Sequence, residues 1–116
     1  MTEHVVKSWT YLFEPFVAGL KTHDMRVLDR DYKIGDTLLM CEYDWGKKKY
    51  TGRCARAKIT YITSSKHREC AFSPSALHPS YGILSIRKSG GIMHFAEMHN
   101  SPFPSSVAKK VLEYEQ

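Results

Sequence analysis

The sequence has 116 residues, of which 42% are hydrophobic and 25% are charged, as is typical of one globular domain rather than of a disordered chain. Its net charge of +5 excludes an acidic mimic of nucleic acid. No stretch approaches the roughly 18 consecutive apolar residues of a membrane-spanning helix, and the opening "MTEHVVKSW" has no signal-peptide core, so we expect a cytoplasmic protein without a membrane partner.

The first part of the chain is predicted to form a strand and then a short helix. "HVVKSW" has the pattern of a strand, and Ser8 is a candidate N-cap for a helical segment within "WTYLFEPFVAG". Pro15 does not fit inside a long helix, so we expect a break or a restart there. Gly19 is predicted to end the segment in a left-handed conformation.

From His23 onward the pattern changes to short strands. In "HDMRVL", alternation along a strand places Asp24, Arg26 and Leu28 on one face and Met25 and Val27 on the other. "DYKIGD" is typical of a turn, because Gly35 supplies backbone freedom. The strands "TLLMCEYD" and "YTGRCARAKITYITS" are predicted to follow, joined by a hairpin turn at "WGKKK".

The long strand combines an apolar face with a basic one. Ala55, Ala57, Ile59 and Tyr61 are predicted to share one face, and the other carries Cys54, Arg56, Lys58 and Thr60. No acidic residue occurs between Trp45 and Arg68. Such an uninterrupted basic block attracts polyanions. Its cations are Lys47, Lys48, Lys49, Arg53, Arg56, Lys58, Lys66 and Arg68.

The end of the chain is predicted to form an extension of the main domain. Residues 66–80 have the character of a surface loop, and "YGILSIR" is the last predicted strand of a domain that spans residues 1–88. "KSGG" is predicted to be a short hinge that leads from this domain into an extension of residues 89–116. "SSVAKKVLEYEQ" is predicted to form a C-terminal helix that packs on the barrel, or else serves a partner or a second copy.

The cysteines and histidines do not predict a metal or disulfide framework. Cys41, Cys54 and Cys70 are odd in number and lack CxxC spacing, so we expect thiols in a reducing compartment. His94 and His99 are five apart without an HExxH pattern. We expect neither a metal site nor a cofactor.

The segment "GLKTHDMR" concentrates polar residues at the predicted exit from the helix. Gly19, Lys21, Asp24 and Arg26 match the glycine, lysine, acid and arginine pattern of ASCH domains in the PUA-like superfamily, which residues 4–87 resemble. "DRDYKIGD" and "YTGRCARAKITYI" are similar to a branch common in phages and prophages. The resemblance implies an α+β fold, a small mixed β-barrel associated with RNA. The family's acid is usually glutamate, so with Asp24 a ligand contact is expected to shift to water or another group.

These residues have chemistry suited to binding. Lys21 is a mobile point charge, whereas Arg26 offers a planar fork for a phosphate or a base edge, and Asp24 can orient that fork. Trp9, Tyr11 and Trp45 are candidates for a surface on which a base stacks. Two alternatives remain open: Asp24 and Arg26 could form a simple surface ion pair, and Trp9, Tyr11 and Phe13 could be core residues.

Three functions fit this pattern. The first is a nucleic-acid-binding module, for RNA more than DNA, with a cleft at Lys21, Asp24 and Arg26. The second, implied by the resemblance, is an amidohydrolase acting on acetylcytidine, with Lys21 as nucleophile or base; Asp24 is a further candidate catalytic residue, although its position does not match the family pattern cleanly. The third is a phage factor that contacts a host protein. In the first, we expect further contacts from Trp9, Arg30, Trp45, Lys47, Lys48, Lys49, Arg53, Arg56 and Lys58.

Overall fold

The computed structural model describes residues 1–65 and 77–94. In these residues the chain forms β1 (Glu3–Trp9), α1 (Thr10–Val17), β2 (His23–Val27), β3 (Thr37–Asp44), β4 (Lys49–Ser64) and β5 (Tyr81–His94). The strands make one sheet, in the order β1, β3, β4, β5, β2, which curls into a half-barrel. This mostly β architecture confirms the small barrel-like fold in outline, whereas the predicted C-terminal helix lies outside the described residues.

The sheet has one parallel pair of strands. β1 runs parallel to β3, from Glu3 opposite Thr37 to Trp9 opposite Tyr43, and the other pairs are antiparallel. Parallel neighbours need a crossover, which α1 and β2 supply here. Among the described strands, this order leaves β1 and β2 as the two edges of the sheet.

The core lies mainly on the side of the sheet that α1 covers. Phe13 and Phe16 of α1 are buried in one cluster with side chains from β1, β3, β4, β5 and the turn after β2. A smaller cluster lies apart from it and includes Val5, Leu39 and Cys41. β3 is buried on both faces, which explains its continuous apolar run "LLMC". The larger cluster contains Val6, Phe13, Phe16, Tyr32, Leu38, Met40, Ala55, Ala57, Ile59, Leu84 and Ile86.

The helix differs from its prediction at the start and agrees at the end. Trp9, not Ser8, is the N-cap residue, and Ser8 belongs to β1 with a buried hydroxyl that has no partner among the described residues. The helix also continues through Pro15 without a break. It is short, so the missing proline N–H removes a single bond near its end. Gly19 has a φ of 79°, which confirms the left-handed terminator.

Irregularities in β4 correct the predicted faces of that strand. Its register shifts between Cys54 and Arg56 and again between Ile59 and Tyr61. Each shift disrupts the strict alternation of side chains. Ala55, Ala57 and Ile59 are buried as predicted, but Tyr61 is 52% exposed and Cys54 is fully buried. The prediction that Tyr61 shares the buried face was therefore wrong.

β5 is longer than predicted. It extends to His94, so "KSGG", at residues 88–91, lies within a strand that pairs with β4. The prediction of a hinge there was wrong, because pairing with β4 supplies the order that the local composition does not indicate. Residues 66–76 and 95–116 lie outside the described part. No helix in residues 1–65 and 77–94 has the length and apolar character to cross a membrane.

A buried carboxylate joins the start of β1 to the turn before β3. Asp36 accepts hydrogen bonds from the backbone N–H groups of Thr2 and Lys33, both at 3.1 Å, and from His4 Nε2 at 2.8 Å. Burial alone would raise the pKa of Asp36, but the hydrogen bonds from His4, Thr2 and Lys33 lower it below its ordinary value. This carboxylate therefore stabilises the fold in its charged form.

Acid should lower the free energy of unfolding, in part because Asp36 becomes protonated. Because its folded pKa is lower than the ordinary value of 3.8, its stabilisation is complete above that value and is lost as the pH falls through the folded pKa. We expect Asp36→Asn to be less stable at neutral pH and to lose less unfolding free energy than the wild type between about pH 5 and pH 2. Urea unfolding across this range measures both; equal acid losses in the two proteins would contradict the assignment.

Gly82 allows β5 to pack closely on the chain that follows β2. A Cβ at Gly82 would lie 2.7 Å from Leu28 Cδ2, and two more Leu28 carbons lie at 3.2 Å. Gly82→Ala should therefore lower the free energy of unfolding by about 1–3 kcal/mol. Gly91→Ala, in the same strand but with nothing within 4 Å of the added carbon, is the matched control and should change it by less than about 0.5 kcal/mol. Similar effects of both changes on urea unfolding would refute the packing argument.

Candidate functional site

The two edges of the sheet are joined by arginine side chains. Arg26 of β2 donates through Nη2 to the carbonyl of Lys7 at 2.8 Å, and Arg30 donates through Nη1 to the carbonyl of Val5 at 3.0 Å. Both acceptors belong to β1 and are two residues apart, so their carbonyls point the same way from that edge. The line along which β1 faces β2 is called the seam below.

Asp24 organises the polar groups beside the seam. It is 3% exposed and accepts hydrogen bonds from Lys21 Nζ at 3.2 Å through Oδ1 and from Arg26 Nε through Oδ2. Strand alternation brings Asp24 and Arg26 to one face of β2, while Met25 and Val27 are exposed on the other. The predicted cluster of Lys21, Asp24 and Arg26 is thus assembled in space.

A cleft of about 440 Å³ opens along the seam. Its wall carries cationic, acidic and aromatic side chains from both edges of the sheet and from the turn after β2. Lys21 does not line it, because its Nζ donates to Asp24 and to the His23 carbonyl. The lining residues are Val6, Lys7, Trp9, Leu12, Asp24, Met25, Arg26, Val27, Asp29, Arg30, Tyr32 and Tyr81.

The two guanidinium groups in the cleft have fixed orientations. Arg26 is held by Asp24 on one side and by β1 on the other, and its Nη1 has no hydrogen-bond partner among the described residues. Arg30 Nε lies 3.5 Å from Asp29 Oδ1, and Arg30 Cζ lies 5.8 Å from the ring centre of Tyr32. Burial raises the pKa of Tyr32, so this ring remains an uncharged phenol at neutral pH. A planar anion or a base edge could bind against these forks.

Three exposed aromatic side chains lie next to the cleft. Trp9, Tyr11 and Trp45 are 39%, 66% and 64% exposed. The ring of Trp9 lies 5.4 Å from that of Trp45 and 5.9 Å from that of Tyr11. Of the residues for which core packing was the alternative, only Phe13 is buried. We call Trp9, Tyr11 and Trp45 the aromatic patch.

In the folded structure, carboxylates from other elements offset part of the positive charge of the basic block. Arg53 donates to both oxygens of Glu42 at 2.8 Å and also to Glu14, while Arg56 donates to Glu3 at 2.7 Å. These acids come from β1, α1 and β3, which the sequence block does not include. The expectation that the basic block presents a continuous positive field was therefore wrong at Arg53 and Arg56.

The Arg53 cluster has the electrostatics of a structural ion pair. Burial would raise the pKa of Glu42, but hydrogen bonds from Arg53 and Thr51 more than offset this, and the net pKa lies below its ordinary value. Hydrogen bonds to Glu42 and Glu14 in turn raise the pKa of Arg53. The positive charge of Arg53 is thus largely offset by carboxylates of the fold itself.

The other predicted cations are placed differently. Lys47 and Lys48 are exposed in the turn between β3 and β4, and Lys49, also exposed, is the first residue of β4; we call the three the turn lysines. Lys58 is half-buried and lies opposite Arg87 of β5. The sequence did not predict Lys7, Tyr32 and Tyr81 as cleft residues, because they come together only where β1 approaches the turn after β2 and the start of β5.

In residues 1–65 and 77–94, no three His, Cys, Asp or Glu residues form a group suited to a metal ion.

Comparison with known proteins places this architecture in a family. Residues 3–86 match the family described as a domain of unknown function, DUF3850. The chain belongs to the DUF3850 family. An uncharacterized 12.9 kDa protein in the GpA 3′ region of Escherichia phage P2 is 37% identical to it over 60 residues, which are 52% of this chain and 53% of that protein. The chain thus spans about half the length of this relative, whose phage origin agrees with the predicted phage association.

Removing the charge of Asp24 should destabilise the DUF3850 domain. Asp24→Asn leaves Lys21 and Arg26 without their buried counter-charge, so we expect a loss of about 2–4 kcal/mol in unfolding free energy. Asp31→Asn is the matched control: Asp31 pairs with Lys33 at 3.5 Å on the surface, and this change should cost less than about 0.5 kcal/mol. Urea unfolding of both variants would contradict the central role of Asp24 if their losses were equal.

Proposed function

We propose that this DUF3850 domain binds single-stranded nucleic acid, RNA in the first instance, with a base or phosphate held in the cleft along the seam. The observation that carries the proposal is the pair of anchored guanidinium groups, Arg26 and Arg30, in a cleft that also contains Trp9 and Tyr32. Unpaired bases are recognised through this combination of planar donors and aromatic surfaces.

The anchoring of Arg26 favours selective over indiscriminate anion binding. Asp24 offsets part of its charge and fixes its plane, so a ligand must match the direction of the remaining donor at Nη1. A phosphate oxygen or a base carbonyl fits that donor. Because the guanidinium is already oriented, little side-chain freedom is lost when a ligand binds.

The choice of RNA rests on resemblance rather than on the cleft alone. Gly19, Lys21, Asp24 and Arg26 carry the pattern of ASCH domains in the PUA-like superfamily, and the barrel-like sheet is compatible with that assignment. Membership in the ASCH group is part of the proposal. A comparison of RNA with DNA of the same sequence tests this part, because only RNA offers a 2′-hydroxyl.

We do not extend the proposal to hydrolysis. An amidohydrolase that uses Lys21 needs its amine directed at the substrate, yet Lys21 Nζ is engaged by Asp24 and by the His23 carbonyl and does not line the cleft. No described contact favours the catalytic alternative. A host-protein partner stays a prediction from the sequence.

Binding should depend on salt and on the shape of Arg26. We expect labelled single-stranded RNA to bind with an affinity that falls steeply between about 50 mM and 200 mM salt, because each phosphate contact releases counterions. Arg26→Lys keeps the charge but not the planar fork, so it should weaken binding about tenfold in fluorescence anisotropy.

The control is the same exchange outside the cleft. Arg87 is exposed on β5, and Arg87→Lys should leave the affinity within about twofold of the wild type. Thermal unfolding of both variants verifies that they are folded. Absence of binding to RNA and DNA alike, or binding that does not respond to salt, would contradict the proposed function.

A further inference from the structure

We propose that the ligand is a single strand of several nucleotides, which leaves the cleft over the aromatic patch and runs toward the turn lysines. This inference rests on the proposed function and specifies its substrate class: an extended strand rather than an isolated nucleotide or a duplex. It assigns Tyr11, Trp45 and the turn lysines to a second subsite that is distinct from the seam.

Trp9 makes the cleft and the aromatic patch continuous. It lines the cleft at the end of β1, and its ring contacts those of both Tyr11 and Trp45. Thr10, the next residue, donates to the Tyr43 carbonyl at 3.4 Å, which ties the start of α1 to the end of β3. A strand with one base in the cleft therefore meets Trp9 first and the other two rings next.

The aromatic patch exposes surface that the fold itself does not use. Tyr11 and Trp45 are each about two-thirds exposed, whereas Phe13 and Phe16 of the same region supply the core contacts of α1. Aromatic rings that stay in water although the core is complete are a sign of a binding surface. Three adjacent rings with different tilts can each accept a separate base.

Positive charge continues beyond the rings. The turn that carries Trp45 also carries Lys47 and Lys48 and leads directly to Lys49 at the start of β4. The Lys47 N–H donates to Asp44 Oδ1 at 3.0 Å, and Lys48 has a φ of 52°. Glu14 of α1, the helix that carries Tyr11, is engaged by Arg53. Phosphates of a strand stacked on the rings would therefore meet ammonium groups.

The combination of rings and lysines favours nucleic acid over a protein partner. Aromatic residues also occur in protein interfaces, but lysine is depleted there. Stacking surfaces beside a cationic track are the usual arrangement in proteins that bind single strands. The path along β4 is less suitable, because its Arg53 and Arg56 are paired with carboxylates.

The experiment compares ligand lengths in the full chain. We expect the affinity of the wild type to rise from a nucleoside monophosphate through a short series of oligouridylates, measured by fluorescence anisotropy and competition. Trp45→Ala and Tyr11→Ala should each weaken the longest oligomer about tenfold and leave the monophosphate unchanged. Trp45→Phe, which keeps a ring, should retain most of the affinity.

The matched control is an exposed aromatic on another part of the sheet. Tyr61 is 52% exposed on β4, opposite Ser85, and Tyr61→Ala should bind every ligand like the wild type. Since Trp9 is the one tryptophan left in Trp45→Phe, quenching of its fluorescence by an oligomer reports stacking beside the cleft.

The outcomes separate the two proposals. If the monophosphate and the oligomers bind equally well, or if Trp45→Ala and Tyr11→Ala bind the oligomer like the wild type, the second subsite is refuted while the cleft proposal stands. If sedimentation shows that Trp45→Ala abolishes self-association without changing oligomer binding, the aromatic patch contacts a second copy and the inference is likewise overturned. If no ligand binds the wild type, the proposed function and this inference both fail.

Discussion

The fold depends on how β1 and β2, the two edges of the sheet formed by residues 1–65 and 77–94, are held together. β1 and β2 lie at opposite ends of the strand order, and the hydrogen bonds that the structure shows across the seam come from Arg26 and Arg30 rather than from a backbone ladder. A guanidinium is long enough to reach a carbonyl that a neighbouring strand would otherwise contact directly. The cleft exists because side chains span this distance; a closed ladder would fill it.

Asp24 stabilises this arrangement, in which the charged side chains are largely removed from water. Two cations converge on its carboxylate, so neither Arg26 nor Lys21 is buried without a counter-charge. The same cluster fixes the end of α1, because the Lys21 N–H donates to the Pro15 carbonyl just after the left-handed Gly19. Helix end, edge strand and cleft are therefore coupled through one carboxylate, and a shift of any of them disturbs the orientation of the arginine forks.

Local pattern predicted the parts of the fold that depend on near neighbours. The bounds of β3, the alternation of Asp24 and Met25 in β2, and the helix end at Gly19 follow from periodicity and turn chemistry. The errors arose where distant partners decide: pairing with β4 makes residues 88–91 a strand, and register shifts turn Tyr61 outward. The Asp24–Arg26 contact joins residues two apart and was predictable, whereas Arg26 reaches a carbonyl 19 residues away, which no local pattern indicates.

The distribution of charge separates two kinds of cation. Arg26, Arg53 and Arg56 are each bound to a carboxylate, so their charge is largely offset. What these planar groups offer a partner is mainly the fixed direction of their N–H donors. The turn lysines are exposed and act as point charges, whose attraction to phosphates is long-ranged and falls with salt. If nucleic acid is the ligand, the salt-dependent part of the affinity should therefore arise mainly at the turn lysines, and discrimination between ligands in the cleft. Because the turn lysines and the cleft lie on different elements of the sheet, a substitution of a turn lysine need not change discrimination in the cleft.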